Sequence, residues 1–280
     1  MARATTKKPG TAVANWDEEL AKQAEVAAAV EANTGGGQFF SVKGGILQFD
    51  GAPLPGNQVA VVIVDSIIEY TYYEGDYDPD NPQIPAAYAF GRDEETIRWH
   101  ENSIPEYAGE LCKDSDINQW GSAETGRGKA CKNSRRLALI PAGSYNAKGD
   151  LEMFDDDEEH FRKTPIAFMK LPVTSVKGYS TFVKQVSGAL RRPPHGVFTR
   201  ISVVPDPKTQ FKVLFEVLDK IPNELMGAVM QRHTEAEAII EFPYTPMEEA
   251  PAKPARGGRA APAKPARGGR AAPAKKTKKY

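Results

Sequence analysis

Apolar and polar positions alternate through most of this chain, and the period of the alternation changes along it. Residues 16–33 lie between Asn15 and Gly35-Gly36-Gly37 and are rich in Ala, Glu and Lys, which predicts a helix with a glycine stop. From Phe39 the period falls to two. Phe39–Lys43 and Gly45–Phe49 read as strands broken at Gly44-Gly45, and Asp50-Gly51 and Pro53-Leu-Pro-Gly56 read as turns. Gln58–Asp65 is a buried strand by its β-branched run, continued by Ile67–Tyr73 after a bend at Asp65-Ser66. Asp76–Pro85 is a proline-rich loop, Ala86–Phe90 a short strand, and Arg92–Trp99 a short helix. Arg136–Ile140 and Thr164–Leu171 are further strands. Apolar residues at 176, 179, 182, 183 and 186 form a helical stripe over Val173–Leu190. Gly196–Val204 and Gln210–Leu218 pair as a hairpin through Pro205-Asp-Pro-Lys208, and Pro222–Ile240 is a last helix with proline in its first turn.

Many short strands, then helix, hairpin and helix, predict an α+β fold with an antiparallel, curved sheet. The first expectation is an OB-like, partly open barrel with added helices. Three segments follow: an N-terminal arm over 1–37, a body over 38–245, and a tail over 246–280.

Composition changes the picture at the tail. Residues 251–261 and 262–272 are the same eleven residues, Pro-Ala-Lys-Pro-Ala-Arg-Gly-Gly-Arg-Ala-Ala, and Lys-Lys-Thr-Lys-Lys-Tyr closes the chain. With no large aliphatic side chain, this segment cannot offset its chain entropy by burial, and it is expected to be disordered. The whole chain has 36 basic and 37 acidic residues; without the ten basic residues of 251–280, the rest carries net −11. An acidic body thus bears a basic arm, a composition suited to non-specific contact with nucleic acid. The acidic run Asp155–Glu159 reads as a solvated loop.

Two cysteines do not make a disulfide scaffold. No apolar stretch follows Met1-Ala2-Arg3, and the longest aliphatic run, Val59–Val64, is too short to cross a bilayer. The expectation is a cytoplasmic protein without a membrane partner. No enzyme signature is present either. Gly128-Lys129 fails the Walker pattern at Ala123 and Ala130, there is no Gly-x-Ser-x-Gly, and His100, His160, His195 and His233 share no metal-binding spacing.

The most distinctive stretch runs from Cys112 to Arg136. It gathers Arg127, Lys129, Lys132, Arg135 and Arg136 with no acid among them, adds Trp120 and three glycines, and leads into an apolar strand. Cationic side chains neutralise phosphates, and aromatic faces stack on bases. Tyr70 and Tyr72 share a strand face, with Tyr73 beside them. Exposed, these rings would extend a stacking platform; buried, they are core. Arg191, Arg192 and His195 form a smaller basic group. Zinc would need more than Cys112 and Cys131, and His100, Asp114 and Asp116 are the only further ligands to hand. The expectation is therefore no cofactor.

Pro55–Ser66, Tyr72–Pro79 and Asn118-Gln-Trp-Gly-Ser122 resemble segments of a set of bacteriophage proteins, as do Gly126-Arg-Gly-Lys-Ala-Cys-Lys-Asn133 and Arg135-Arg-Leu137. The resemblance spans roughly residues 39–245. It implies single-stranded DNA binding in phage replication or recombination, inside a bacterial host cell and beside other replication or recombination proteins. In such relatives the first cysteine opens a Cys-x-x-Cys pair; here Ser115 stands at the second place. The leading expectation is a non-catalytic single-strand binder using Trp120, Arg127, Lys129, Lys132, Arg135, Arg136, Tyr70, Tyr72 and Tyr73. Two rivals are a phage interaction protein that binds a host enzyme through the acidic body, and a metal-dependent DNA-processing enzyme.

Overall fold

A computed structural model describes residues 38–75, 83–146, 148–154 and 157–244. The expected helix over 16–33, the whole 1–37 arm and the basic tail from 246 on lie outside the described residues. By its internal contacts the chain divides after Tyr244.

The body is a mixed α/β structure built on one large open sheet. In chain order its strands are β1 (Phe39–Lys43), β2 (Ile46–Phe49), β3 (Ala52–Pro53), β4 (Gln58–Tyr72), β5 (Ala87–Gly91), β6 (Lys132–Tyr145), β7 (Leu151–Met153), β8 (Ala167–Leu171), β9 (Val197–Asp206) and β10 (Gln210–Lys220). The path across the sheet is β10-β9-β4-β6-β8-β1-β2-β3, with β5 beside β4 and β7 beside β6. All neighbours are antiparallel except β1 and β8. The described body also has three α-helices, α1 (Glu158–Lys163), α2 (Val173–Gln185) and α3 (Asn223–Ile239).

The sheet curls without closing. Near its two ends Asn57 ties the β1–β2 hairpin to β9: its Oδ1 accepts from Leu47 N at 2.5 Å, while its Nδ2 donates to Gly45 O at 2.7 Å and to Val203 O at 2.9 Å. Inside the curl, α2 packs Tyr179, Phe182 and Val183 against Val61, Ile63, Leu137, Leu139 and Val213. On the outer side α3 lays Leu225, Ala228, Val229 and Ala236 on Val62, Val64, Ala138 and Ile140, with Phe161 of α1 beside them. The stripe of α3 follows the i, i+3, i+4 spacing of a helix with one buried face. Asp157 caps α1 by accepting from His160 N at 2.9 Å, so the end of the acidic run, Glu158 and Glu159, forms the first turn of a helix.

The bend expected near Asp65 is a β-bulge. Opposite β6, the register slips by one residue between Ile63 and Asp65. Before the slip, odd-numbered residues of β4 face the inner core; after it, even-numbered ones do. Ile68 and Tyr70 therefore continue the face of Ile63, while Glu69 and Thr71 lie on the other side. Arg92–Trp99 is a series of turns and not a helix, with Arg92 held to Asp65 by paired bonds of 2.9 and 2.7 Å.

Candidate nucleic-acid interface

Paired, the C-terminal half of β4 and the start of β6 reach past the helices, and β5 flanks them. The inner face of this extension is dry. Residues 97–131 fold over it, so that Ile97, Trp99, Tyr107, Cys112, Ile117 and Cys131 cover Ile68, Tyr70, Ala87 and Ala89. Trp99 and Gly109 anchor the fold-over by exchanging backbone bonds with its return strand: Trp99 N to Glu110 O and Gly109 N to Trp99 O, both 3.0 Å.

The loop from Cys112 to Cys131 is held by its own bonds. Gly128 O accepts from Gly121 N at 2.9 Å and from Ala123 N at 3.2 Å, and Cys131 N donates to Ile117 O at 2.9 Å. Ser122 Oγ accepts from Ala130 N at 2.9 Å, and Asn118 Nδ2 donates to Cys112 O at 2.9 Å. Gly121 and Gly126 take φ values of +91° and +84°, which a side chain would strain. Both thiols are free and buried, and burial pushes each up to about 12. Such thiols stay protonated and unreactive. His100 stacks on Tyr88 at 4.7 Å, on the other face of the sheet, and Asp116 is exposed. No group of three or more His, Cys, Asp or Glu side chains among the described residues could hold a metal ion.

The candidate binding residues separate. Trp120 is 81% exposed at the loop tip, with Lys129 Nζ 5.7 Å from its ring centre and also donating to Asn118 Oδ1 at 3.1 Å. Arg127 is exposed on the same loop, and Lys132 is exposed where β6 begins. Tyr73 is exposed at the end of β4, whereas Tyr72 is half-buried with its ring 6.0 Å from Tyr107. Arg135 is half-buried on the inner face. Tyr70 is buried, 6.4 Å from Trp99, and burial raises its pKa. Arg136 is buried in an ion pair. Tyr70 and Arg136 therefore leave the set of groups able to touch a ligand. Arg192 is likewise committed, donating to Gly196 O and Ile221 O, and His195 stacks on His233 at 4.3 Å.

The outer face of the extension holds a polar cluster. Glu69, fully buried, pairs with Arg136 Nε at 3.1 Å and Lys170 Nζ at 3.2 Å, and accepts from the Tyr244 hydroxyl. The Arg136 guanidinium lies between Phe90 at 4.2 Å and Phe242 at 3.8 Å, and its Nη1 donates to Ile240 O and Phe242 O at 3.0 and 2.8 Å. Lys170 also donates to Thr71 Oγ1 at 3.2 Å and to the Tyr244 hydroxyl at 3.0 Å. Burial alone would raise the pKa of Glu69; the charges of Lys170 and Arg136, with the bonds from Tyr244 and Arg136, hold it below the ordinary value. The charges of Lys129, Lys132 and Lys170 act against burial on the Cys131 thiol, whose pKa still stays high.

Lys170, Glu69 and Tyr244 were not among the candidates. The glutamate inside Ile67-Ile-Glu-Tyr70 was the available signal, since a charge at a buried strand position needs a partner; Lys170 is exposed and gave none.

No protein-family model, no curated protein and no solved structure matches the chain. Among the described residues no helix is long and apolar enough to cross a membrane.

Proposed function

We propose that the protein binds single-stranded DNA without catalysis, as an accessory factor in phage replication or recombination. The observation that carries this reading is Trp120: a large ring, 81% exposed, on a loop fixed by internal hydrogen bonds, with a lysine amine 5.7 Å from its centre. A ring so placed adds nothing to the core, and stacking on a base is worth roughly 1–3 kcal/mol. Arg127, Lys129 and Lys132 would meet phosphates, and Tyr73 would offer a second ring. A sheet end together with its loops is how OB-like folds take single strands. The basic arm after residue 250 adds sequence-independent affinity that falls with salt.

The net −11 of residues 1–250 favours a second reading, in which the acidic body binds a basic surface of a host enzyme. Intrinsic tryptophan fluorescence of the full chain, titrated with oligothymidylate, separates the two. Saturable quenching that salt reverses and Trp120→Ala removes supports strand binding. Absence of quenching favours the second reading, equal quenching by duplex overturns the preference for single strands, and magnesium-dependent degradation of the strand would favour an enzyme.

A further inference from the structure

Tyr244 is the last described residue before the basic arm, and its side chain fills a slot on the outer face of the sheet. One wall is Phe90, whose ring lies 6.4 Å away and nearly parallel at 17°; the floor is Tyr88, edge-on at 5.2 Å. At the polar end the hydroxyl gives its hydrogen to Glu69 and accepts from Lys170 Nζ. A flat ring beside aromatic side chains, with its edge read by a carboxylate acceptor and an ammonium donor, is also how a protein holds a nucleobase: aromatic contact supplies affinity, and the edge groups meet ring N–H and carbonyl.

The backbone leading to this ring is not equally fixed. Arg136 holds Ile240 and Phe242 by their carbonyls. Among the described residues the contacts of Tyr244 are those of its side chain. A ligand that competes for them would release the ring while Arg136 keeps the strap up to Phe242. Lys132 is exposed where β6 begins, and Tyr73 is exposed just past the end of β4, the strand that carries Glu69.

We propose that the slot formed by Tyr88, Phe90, Glu69 and Lys170 receives one base of a single strand, and that Tyr244 occupies it in cis until the strand displaces it. The slot deepens the strand-binding reading given above and rests on it. A competing side chain lowers apparent affinity by the fraction of time it fills the site. Removing the Tyr244 ring should therefore tighten binding, the reverse of what deleting a contact residue does.

The experiment uses the full chain and a labelled oligothymidylate of about eight nucleotides, within the span of one such fold. An abasic strand of the same length is run in parallel. Tyr244→Ala is expected to bind the oligothymidylate at least about threefold more tightly, from the competition relation. Tyr244→Phe, which keeps the ring but loses both polar bonds, should fall between it and the wild type. Adding Lys170→Ala to Tyr244→Ala should remove the gain. The abasic strand should show no gain at all. An equal gain on the abasic strand means that only charge was released, and it overturns the base slot. Unchanged or weaker binding by Tyr244→Ala overturns it too; if Trp120→Ala still weakens binding, strand binding at the loop stands without the slot. If neither wild type nor Tyr244→Ala binds, both readings fall.

Discussion

The two faces of one β-ribbon solve the same burial problem differently. Where β4 and β6 extend past the helices, alternate residues point to opposite sides. The inner side, Ile68 and Tyr70, lies under a folded segment carrying Trp99, Tyr107 and two thiols. On the outer side, Glu69 and Arg136 lie under five residues of strap ending in Tyr244. The inner side is held by area removed from water, which has no direction and no pH dependence. Charges held in fixed geometry secure the outer side, and their breakage leaves a buried partner alone. Apolar burial makes a platform that supports an outlying loop, whereas a polar cluster makes a latch that can be competed open.

The comparison is broken most severely by removing one anchor from each side. Trp99→Ala should cost roughly 3–5 kcal/mol in chemical denaturation, as large-to-small changes at buried rings do. Arg136→Ala should cost a similar ~3–5 kcal/mol, because Glu69 stays buried without the guanidinium that bonds both of its oxygens. If Arg136→Ala is instead near neutral, the outer cluster is not the anchor described. Next in size is Cys131→Ser, which places a hydroxyl in a dry cluster and should cost about 1–3 kcal/mol for burying the more polar group. Added reductant should leave the wild type unchanged, since both thiols are free.

Acid sharpens the contrast further. The pKa of Glu69 is lowered on folding, so its contribution is fully present above its ordinary value of 4.5 and is lost as pH falls through the lowered folded value. The stability gap between wild type and Glu69→Gln should be widest at neutral pH and shrink below about 4.5. For Trp99→Ala the gap should stay flat over the same range. The smallest stability effect belongs to Trp120→Ala, within about 0.5 kcal/mol, as expected for an exposed side chain away from caps and core.

Most elements were legible because their period was clean. The helical stripe from Val176 to Val186 and the long aliphatic strand stand where the spacing put them, and the hairpin forms with its turn moved past Pro205, which pairs with Phe211 inside the ladder. The curl of the open sheet was not legible. It depends on which strands approach one another near its ends, and here Asn57 links the β1–β2 hairpin to β9 with a positive φ of 59° and three bonds that leave no trace in apolar spacing. Arg92–Trp99 misled because its apolar residues serve a loop that docks by Ile97 and Trp99. In the candidate site, charge counting found the exposed cations Arg127 and Lys132 but could not tell them from Arg136. The difference lies in Glu69, 67 positions earlier in the chain and one ladder step away across the sheet. Tyr70 and Tyr73 were likewise inseparable until the bulge set which tyrosines faced the inner side.

Fluorescence anisotropy with labelled single-stranded and duplex oligonucleotides across a salt series, comparing wild type with a Trp120→Ala/Arg127→Ala variant of the full chain, tests strand binding at the loop most directly. The account predicts preference for the single strand, a loss of roughly 1–3 kcal/mol from the missing stack, and a shallower salt slope from the missing cation. Equal binding by both proteins, or equal affinity for duplex and single strand, would contradict it.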